Sequence, residues 1–200
     1  MLKKDIYERI CKNVSRETFE KILCYEKLLN KWNGKINLIS RKMSEEEILK
    51  NHIAQSIELS KLIPGNMNIL DVGSGAGFPG MILAILGFTV CLSEINIKKA
   101  SFLNFVKSEL EVNVTVENCC VSKLRGKNFN CIVSRSVTNV KNLLELTKEA
   151  AANDVTYMVY APKDTNFREI KNNYAIYMLT IGNDYVNNRS IAMLKSINAH

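Results

Sequence analysis

The chain has 200 residues, 46% of them hydrophobic, with 27 Lys and Arg against 20 Asp and Glu and a net charge of +7 at pH 7. That length suits one domain with a small extension, and the absence of any run of about 18 apolar residues argues against a membrane span. Residues 1–13 lack the apolar core of a secretory signal, and six cysteines without a Cys-x-x-Cys pair, with only His52 and His200 beside them, argue against a metal site, so a reduced, cytoplasmic protein is expected.

The charge is uneven. Residues 1–67 carry 13 basic and 9 acidic side chains, residues 68–118 carry 3 and 5, and residues 119–200 carry 11 and 6. A basic surplus on both sides of an acidic middle suits a polyanionic partner such as nucleic acid, with plain solubility as the alternative.

In chain order, Ser15 to Trp32 sets Phe19, Ile22, Leu23, Leu28, Leu29 and Trp32 at helical spacing, with Ser15 as cap and Asn33-Gly34 as stop. Trp32 and His52 read as packing residues rather than chemistry. Ser44, followed by three glutamates that suit the first turn, opens a second helix running through Ile48, His52, Ser56 and Leu59 to Pro64-Gly65. Residues 1–65 are therefore expected to form a helical cap on an α/β body at 66–200. Ile69 to Val72 reads as a buried strand, Met81 to Leu86 as a helix, Thr89 to Ser93 as a strand, and Asn96 to Leu110 as a helix. Val112 to Val116 and Cys131 to Val133 are the next strands, then a helix over Val140 to Ala152 and a strand over Tyr157 to Tyr160. Tyr174 to Ile181 and Ile191 to Lys195 are the last strand candidates, separated by polar Gly182 to Arg189. Alternating strands and helices predict a mainly parallel doubly wound sheet, with an antiparallel finish.

The chemistry concentrates in Asp71-Val72-Gly73-Ser74-Gly75-Ala76-Gly77-Phe78-Pro79-Gly80. A dinucleotide loop wants Gly-x-Gly-x-x-Gly, and here the third position is Phe78. The Gly-x-Gly-x-Gly spacing, with an acid two residues ahead, is instead the pattern of S-adenosylmethionine (SAM) sites in Rossmann-like methyltransferases. Glu94, at the tip of the next strand, is placed to accept bonds from ribose hydroxyls. An NAD-dependent oxidoreductase is disfavoured by Phe78 and by the lack of a hydride-transfer partner set. Lys163 follows the fifth strand, where doubly wound sheets place ligands; a solvated lysine is the plain alternative.

With these residues in view, the chain resembles the bacterial 16S ribosomal RNA guanine-N7 methyltransferase family, historically called glucose-inhibited division protein B. The likeness covers nearly the whole chain. It includes Lys31-Trp32-Asn33, Asn37-Leu38, His52, Ser56, the Asp71–Gly80 loop, Lys98, Phe102-Leu103, Ser134-Arg135-Ser136 and Ala161-x-Lys163. It implies a class I SAM-dependent methyltransferase with a seven-stranded sheet, acting on guanine 527 of 16S rRNA in the small subunit. A monomer without membrane or metal is expected, although the sequence itself does not give the oligomeric state. By the same resemblance, Gly73, Gly75 and Phe78 line the cofactor site, Glu94 holds the ribose, and Val121 and Ser122 lie beside the adenine. Arg135 lies near cofactor and target base. Lys163, by its place after the fifth strand, is expected to meet the RNA. A salt bridge from Arg135 to Asp71 is the plainer alternative. The chain departs from the family at Asn51 and Gln55, where Arg and Asp are usual, and at Cys120, where Arg is usual. These departures motivate a second reading, a SAM- and RNA-binding protein without turnover.

Guanine N7 carries a lone pair and no proton, so its methylation needs no general base. The fourth strand ends in Ser134-Arg135-Ser136 rather than the Asn/Asp-Pro-Pro-aromatic turn of exocyclic-amine methyltransferases, and no Pro-Cys dipeptide supplies a pyrimidine-C5 nucleophile.

Overall fold

A computed structural model of the chain describes residues 7–8, 11–135, 139–183 and 186–197. Seven strands form one sheet: β1 (Asn68–Val72), β2 (Thr89–Ser93), β3 (Val114–Glu117), β4 (Phe129–Ser134), β5 (Ala151–Tyr160), β6 (Tyr174–Asn183) and β7 (Val186–Ser196). Their order is β3-β2-β1-β4-β5-β7-β6. The first five run parallel, and β7 is inserted antiparallel between β5 and β6. The order reverses between β1 and β4, which opens a crevice at the carboxyl ends of those strands.

The helices are α1 (Arg16–Asn33), α2 (Glu45–Ile48), α3 (Ala54–Ser60), α4 (Gly80–Ile85), α5 (Ile97–Glu109) and α6 (Val140–Thr147). Ser15 caps α1 by accepting from the Thr18 N–H. Ser44 and Glu47 close a reciprocal capping box on α2, which satisfies two backbone donors at once. Strand alternation divides the core between the two faces of the sheet. Ile69, Leu92 and Val133 face Tyr25 and Leu29 of α1, Ile57 of α3, Met81 of α4 and Phe102 of α5. Leu70, Val72, Ile132 and Val159 face Leu143 and Leu144 of α6. Trp32 packs with its ring centroid 5.6 Å from Phe102 and 5.2 Å from Phe105, tying α1 to α5.

Three expectations are corrected. The helix expected over 140–152 ends at Thr147, and Ala151 begins β5. Alanine favours helix only weakly against tertiary pairing; here Gly126 and Phe129 draw in the carbonyls of Glu149 and Ala150, which starts the strand early. The polar connection expected over Gly182 to Arg189 is largely strand: β6 runs on to Asn183 and β7 starts at Val186, because the two pair with each other there. The second helix is not continuous: Leu49–Ile53 forms a π-helical turn between α2 and α3. No described helix is long and apolar enough to cross a membrane.

Candidate active site

The loop after β1 bends through three glycines, Gly73, Gly75 and Gly77, with φ of +69°, +57° and +99°. Other residues adopt such angles only under strain. The N–H groups of Gly73 and Ser74 both donate to the Ser93 carbonyl, which fastens the loop to the end of β2. A Cβ on Gly77 would meet Met81 Cβ at 2.8 Å, so that glycine serves packing. A Cβ on Gly73 would meet nothing within 4 Å, so that glycine faces open space where a ligand can approach the backbone.

Two carboxylates frame this loop. Asp71 is fully buried, and its Oδ2 accepts from the Gly80 N–H at 3.0 Å. Its Oδ1 has no hydrogen-bond partner. Burial pushes its pKa up to about 7, against the Gly80 hydrogen bond, which pulls the other way. Glu94 is also buried: Oε2 accepts from the Gly75 N–H at 2.8 Å and Oε1 from the Asn96 N–H at 2.7 Å. Glu94 thus sets the loop's shape while each oxygen keeps a second lone pair. Val121 is buried in a short 3-10 turn after β3, and Ser122 is exposed beside it, donating to Cys120 Sγ at 3.3 Å.

A second set of residues gathers at the ends of β4 and β5. Arg135 follows β4 directly, with Cζ 5.2 Å from the centroid of the Tyr160 ring. Its Nη1 is buried and donates to nothing. The Arg135–Asp71 salt bridge left open by the sequence is not among the ion pairs of the described residues. His52, on the π-helical turn, stacks on Phe78 at 4.8 Å between ring centroids. Burial, with Arg135 and Arg189 nearby, pushes its pKa down to about 3, so the ring is neutral, and both nitrogens lack partners. Phe78 is enclosed between His52 and the edge of Tyr25, 5.5 Å away, and contributes packing under the loop. Lys163 is exposed in the turn after β5.

Sequence reasoning missed four residues here. Tyr25 donates its hydroxyl to the Ala76 carbonyl, so α1 holds the glycine loop. Tyr160 carries Arg135 on its face. Arg189 and Asn187, at the start of β7, reach the same region: Asn187 donates to Asn51 Oδ1 at 2.6 Å and accepts from Gln55 Nε2 at 2.9 Å. Only Tyr160 carried a signal, its place at the carboxyl end of a parallel strand.

The arrangement suits a ligand with a cation at one end and a diol at the other. Asp71 Oδ1 is an orphaned, buried acceptor that fits an ammonium group. Glu94 fits a pair of hydroxyls, and the open Gly73 fits close contact. The comparisons agree. A family model described as GidB, rRNA small subunit methyltransferase G, matches residues 18–190. Ribosomal RNA small subunit methyltransferase G of Ruegeria sp. is 34% identical over 163 residues, covering 78% of this chain and 78% of its own length. That of Orientia tsutsugamushi (strain Ikeda) is 36% identical over 154 residues, 76% of each chain. Among solved structures, a methyltransferase from Pyrococcus furiosus superposes with a TM-score of 0.59 at 16% identity, over 88% of this chain and 96% of its own. Magnesium protoporphyrin IX methyltransferase from Synechocystis, solved with bound SAM, gives a TM-score of 0.53 at 14% identity, over 96% and 91%. At those identities the solved structures show the fold, that of a class I SAM-dependent methyltransferase. The sequence relatives and the family match show more, and the chain belongs to the GidB family of rRNA small subunit methyltransferases G.

Proposed function

We propose that the protein transfers a methyl group from SAM to N7 of a guanine in 16S rRNA of the small subunit, the guanine at position 527 by the family resemblance. The observation that carries this reading is the character of the target side. Arg135 and His52 supply a cation and a neutral imidazole, and no carboxylate lies within salt-bridge distance of Arg135 among the described residues. A ring nitrogen with its pKa near 3 is a poor proton acceptor at neutral pH. Guanine N7 loses no proton on methylation, so the site lacks only what this reaction does not need.

SAM, when bound, supplies a methyl group on a positively charged sulfur. Asp71, Gly73, Gly75 and Glu94 would hold it, with Val121 and Ser122 beside the adenine. Phe78 backs the loop and does so through packing. Arg135 donates to guanine O6, which neighbours N7 on the same base edge, and its fork orients the base for in-line attack. Lys163 is an exposed cation on the path of the RNA.

Asp71 gives this assignment a pH signature. In the free protein its carboxyl, with its pKa pushed up to about 7, is mostly neutral at pH 6. Beside an ammonium group the carboxylate form is favoured, so its pKa falls on binding. SAM binding at pH 6 should therefore release close to one proton, and affinity should fall as pH drops below 7. Calorimetry in buffers of different ionisation enthalpy reads that proton, and Asp71→Asn should abolish it. The function itself is tested with labelled SAM and small subunits from a strain lacking this modification. Label at N7 of the expected guanine is the expected result. SAM binding without transfer would overturn catalysis in favour of a non-catalytic binding protein.

A further inference from the structure

We infer that the pocket between β4, β5 and the start of β7 is a phosphate site for the RNA strand next to the target guanine, with Arg189 as its outer cation. This rests on the rRNA reading above and adds to it a named subsite.

The topology creates the pocket. Because β7 runs antiparallel to β5, with Tyr160 opposite Ile191, the first residues of β7 sit at the carboxyl edge of an otherwise parallel sheet. That is the edge where β4 delivers Arg135. The resulting cavity of about 310 Å³ is lined by Arg135, Tyr160, Ala161, Pro162, Asn188, Arg189 and Ser190. The lining residues carry two guanidinium groups, an amide and two hydroxyls, and no carboxylate. The two arginines are near enough for Arg189 to pull the Arg135 pKa down, although burial is the larger cause. Two like charges beside an orphaned Nη1 are an arrangement that an anion completes.

The anion is a phosphodiester rather than the carboxylate of the cofactor. The glycine loop, Glu94 and Val121 lie on the β1, β2 and β3 side of β4, whereas this pocket lies on the β5 and β7 side. The two arginines divide the work. Arg135 is partly buried and lies over the Tyr160 ring, where it is proposed to meet the base. Arg189 is exposed and reaches a strand passing over the surface. A guanidinium fork matches two phosphate oxygens at once, which an ammonium does not.

The test uses the full chain with unmodified small subunits as the RNA probe. Binding is followed over a salt series, SAM affinity by calorimetry, and turnover at saturating SAM. Arg189→Ala should weaken subunit binding about tenfold and raise KM in step, with SAM affinity unchanged. The slope of log affinity against log salt should become shallower by about 0.7 to 0.9, the value of one phosphate contact. Arg189→Lys should restore the slope and only part of the affinity. An unchanged slope in folded Arg189→Ala would overturn the subsite. So would a loss confined to SAM affinity, which would make the cofactor carboxylate the anion. Absence of turnover in the wild-type protein would count against the methyltransferase reading alone, because the salt slope still reports on the phosphate site.

Discussion

Replacing Arg135 with alanine should cut methyl transfer by about 10²–10³-fold, the usual loss when one preorganised donor is removed from a reacting centre. The same change should leave the fold as stable as before or more so. A guanidinium that is largely buried, with Nη1 donating to nothing, costs folding energy rather than supplying it. The stacking on Tyr160 returns about 0.5–2 kcal/mol of that. Sites that bind or react keep such uncompensated groups, and removing them trades activity for stability. Thermal denaturation and single-turnover kinetics on the same variant therefore separate two roles. A structural arginine would lose stability and rate together, whereas a target-positioning arginine loses rate alone. Arg135→Lys should rescue little, because an ammonium keeps the charge but not the flat fork over the ring.

The second large effect is expected at Gly80. Its backbone angle is ordinary, and its need for glycine comes from close approach. An added Cβ would run into Leu92 Cδ2 and would lie 2.5 Å from Asp71 Oδ2 and 2.7 Å from Asp71 Cβ. Neither neighbour has room to give, since both are fully buried. Gly80→Ala should therefore destabilise the protein by about 2–4 kcal/mol, combining overpacking with damage to the Asp71 hydrogen bond. For a chain of this size that is a fall in Tm on the order of 10 °C. SAM affinity should fall with it, because the displaced carboxyl is the one proposed to meet the ammonium. Gly65→Ala, where nothing lies within 4 Å, is the control and should change little. Urea denaturation of the pair checks both; equal stabilities would show that α4 is not seated on Asp71 as described.

The frame of this site was legible because its signals are local. Asp71, the glycines and Glu94 lie within 24 consecutive residues, and the strand and glycine patterns predict where each falls. The Ser15 cap and the acidic first turn after Ser44 were equally readable, because a cap and its partner are three residues apart. What stayed hidden depends on long separations. The Tyr25 hydroxyl meets a carbonyl 51 residues onward, and Gln55 meets one 132 residues onward. Tyr25 belongs to an apolar helical stripe, and nothing near it in sequence names a hydrogen-bond partner. The π-helical turn was missed for a related reason: Leu49–Ile53 keeps a helical apolar pattern, and the extra residue it absorbs shows only when His52 meets Phe78. The resemblance places Phe78 at the cofactor site, but the direction its ring takes, against His52 and Tyr25, depends on residues far away in sequence and could not be read from the loop.

Asn51 of the π-helical turn and Gln55 of α3 both hold Asn187 on β7. The two bonds differ in kind: Asn51 accepts from the Asn187 side chain, whereas Gln55 donates to the backbone carbonyl of residue 187. A substitution at 187 therefore removes one tie and leaves the other in place. The contact between this helical segment and the β6–β7 hairpin thus fails in steps rather than all at once.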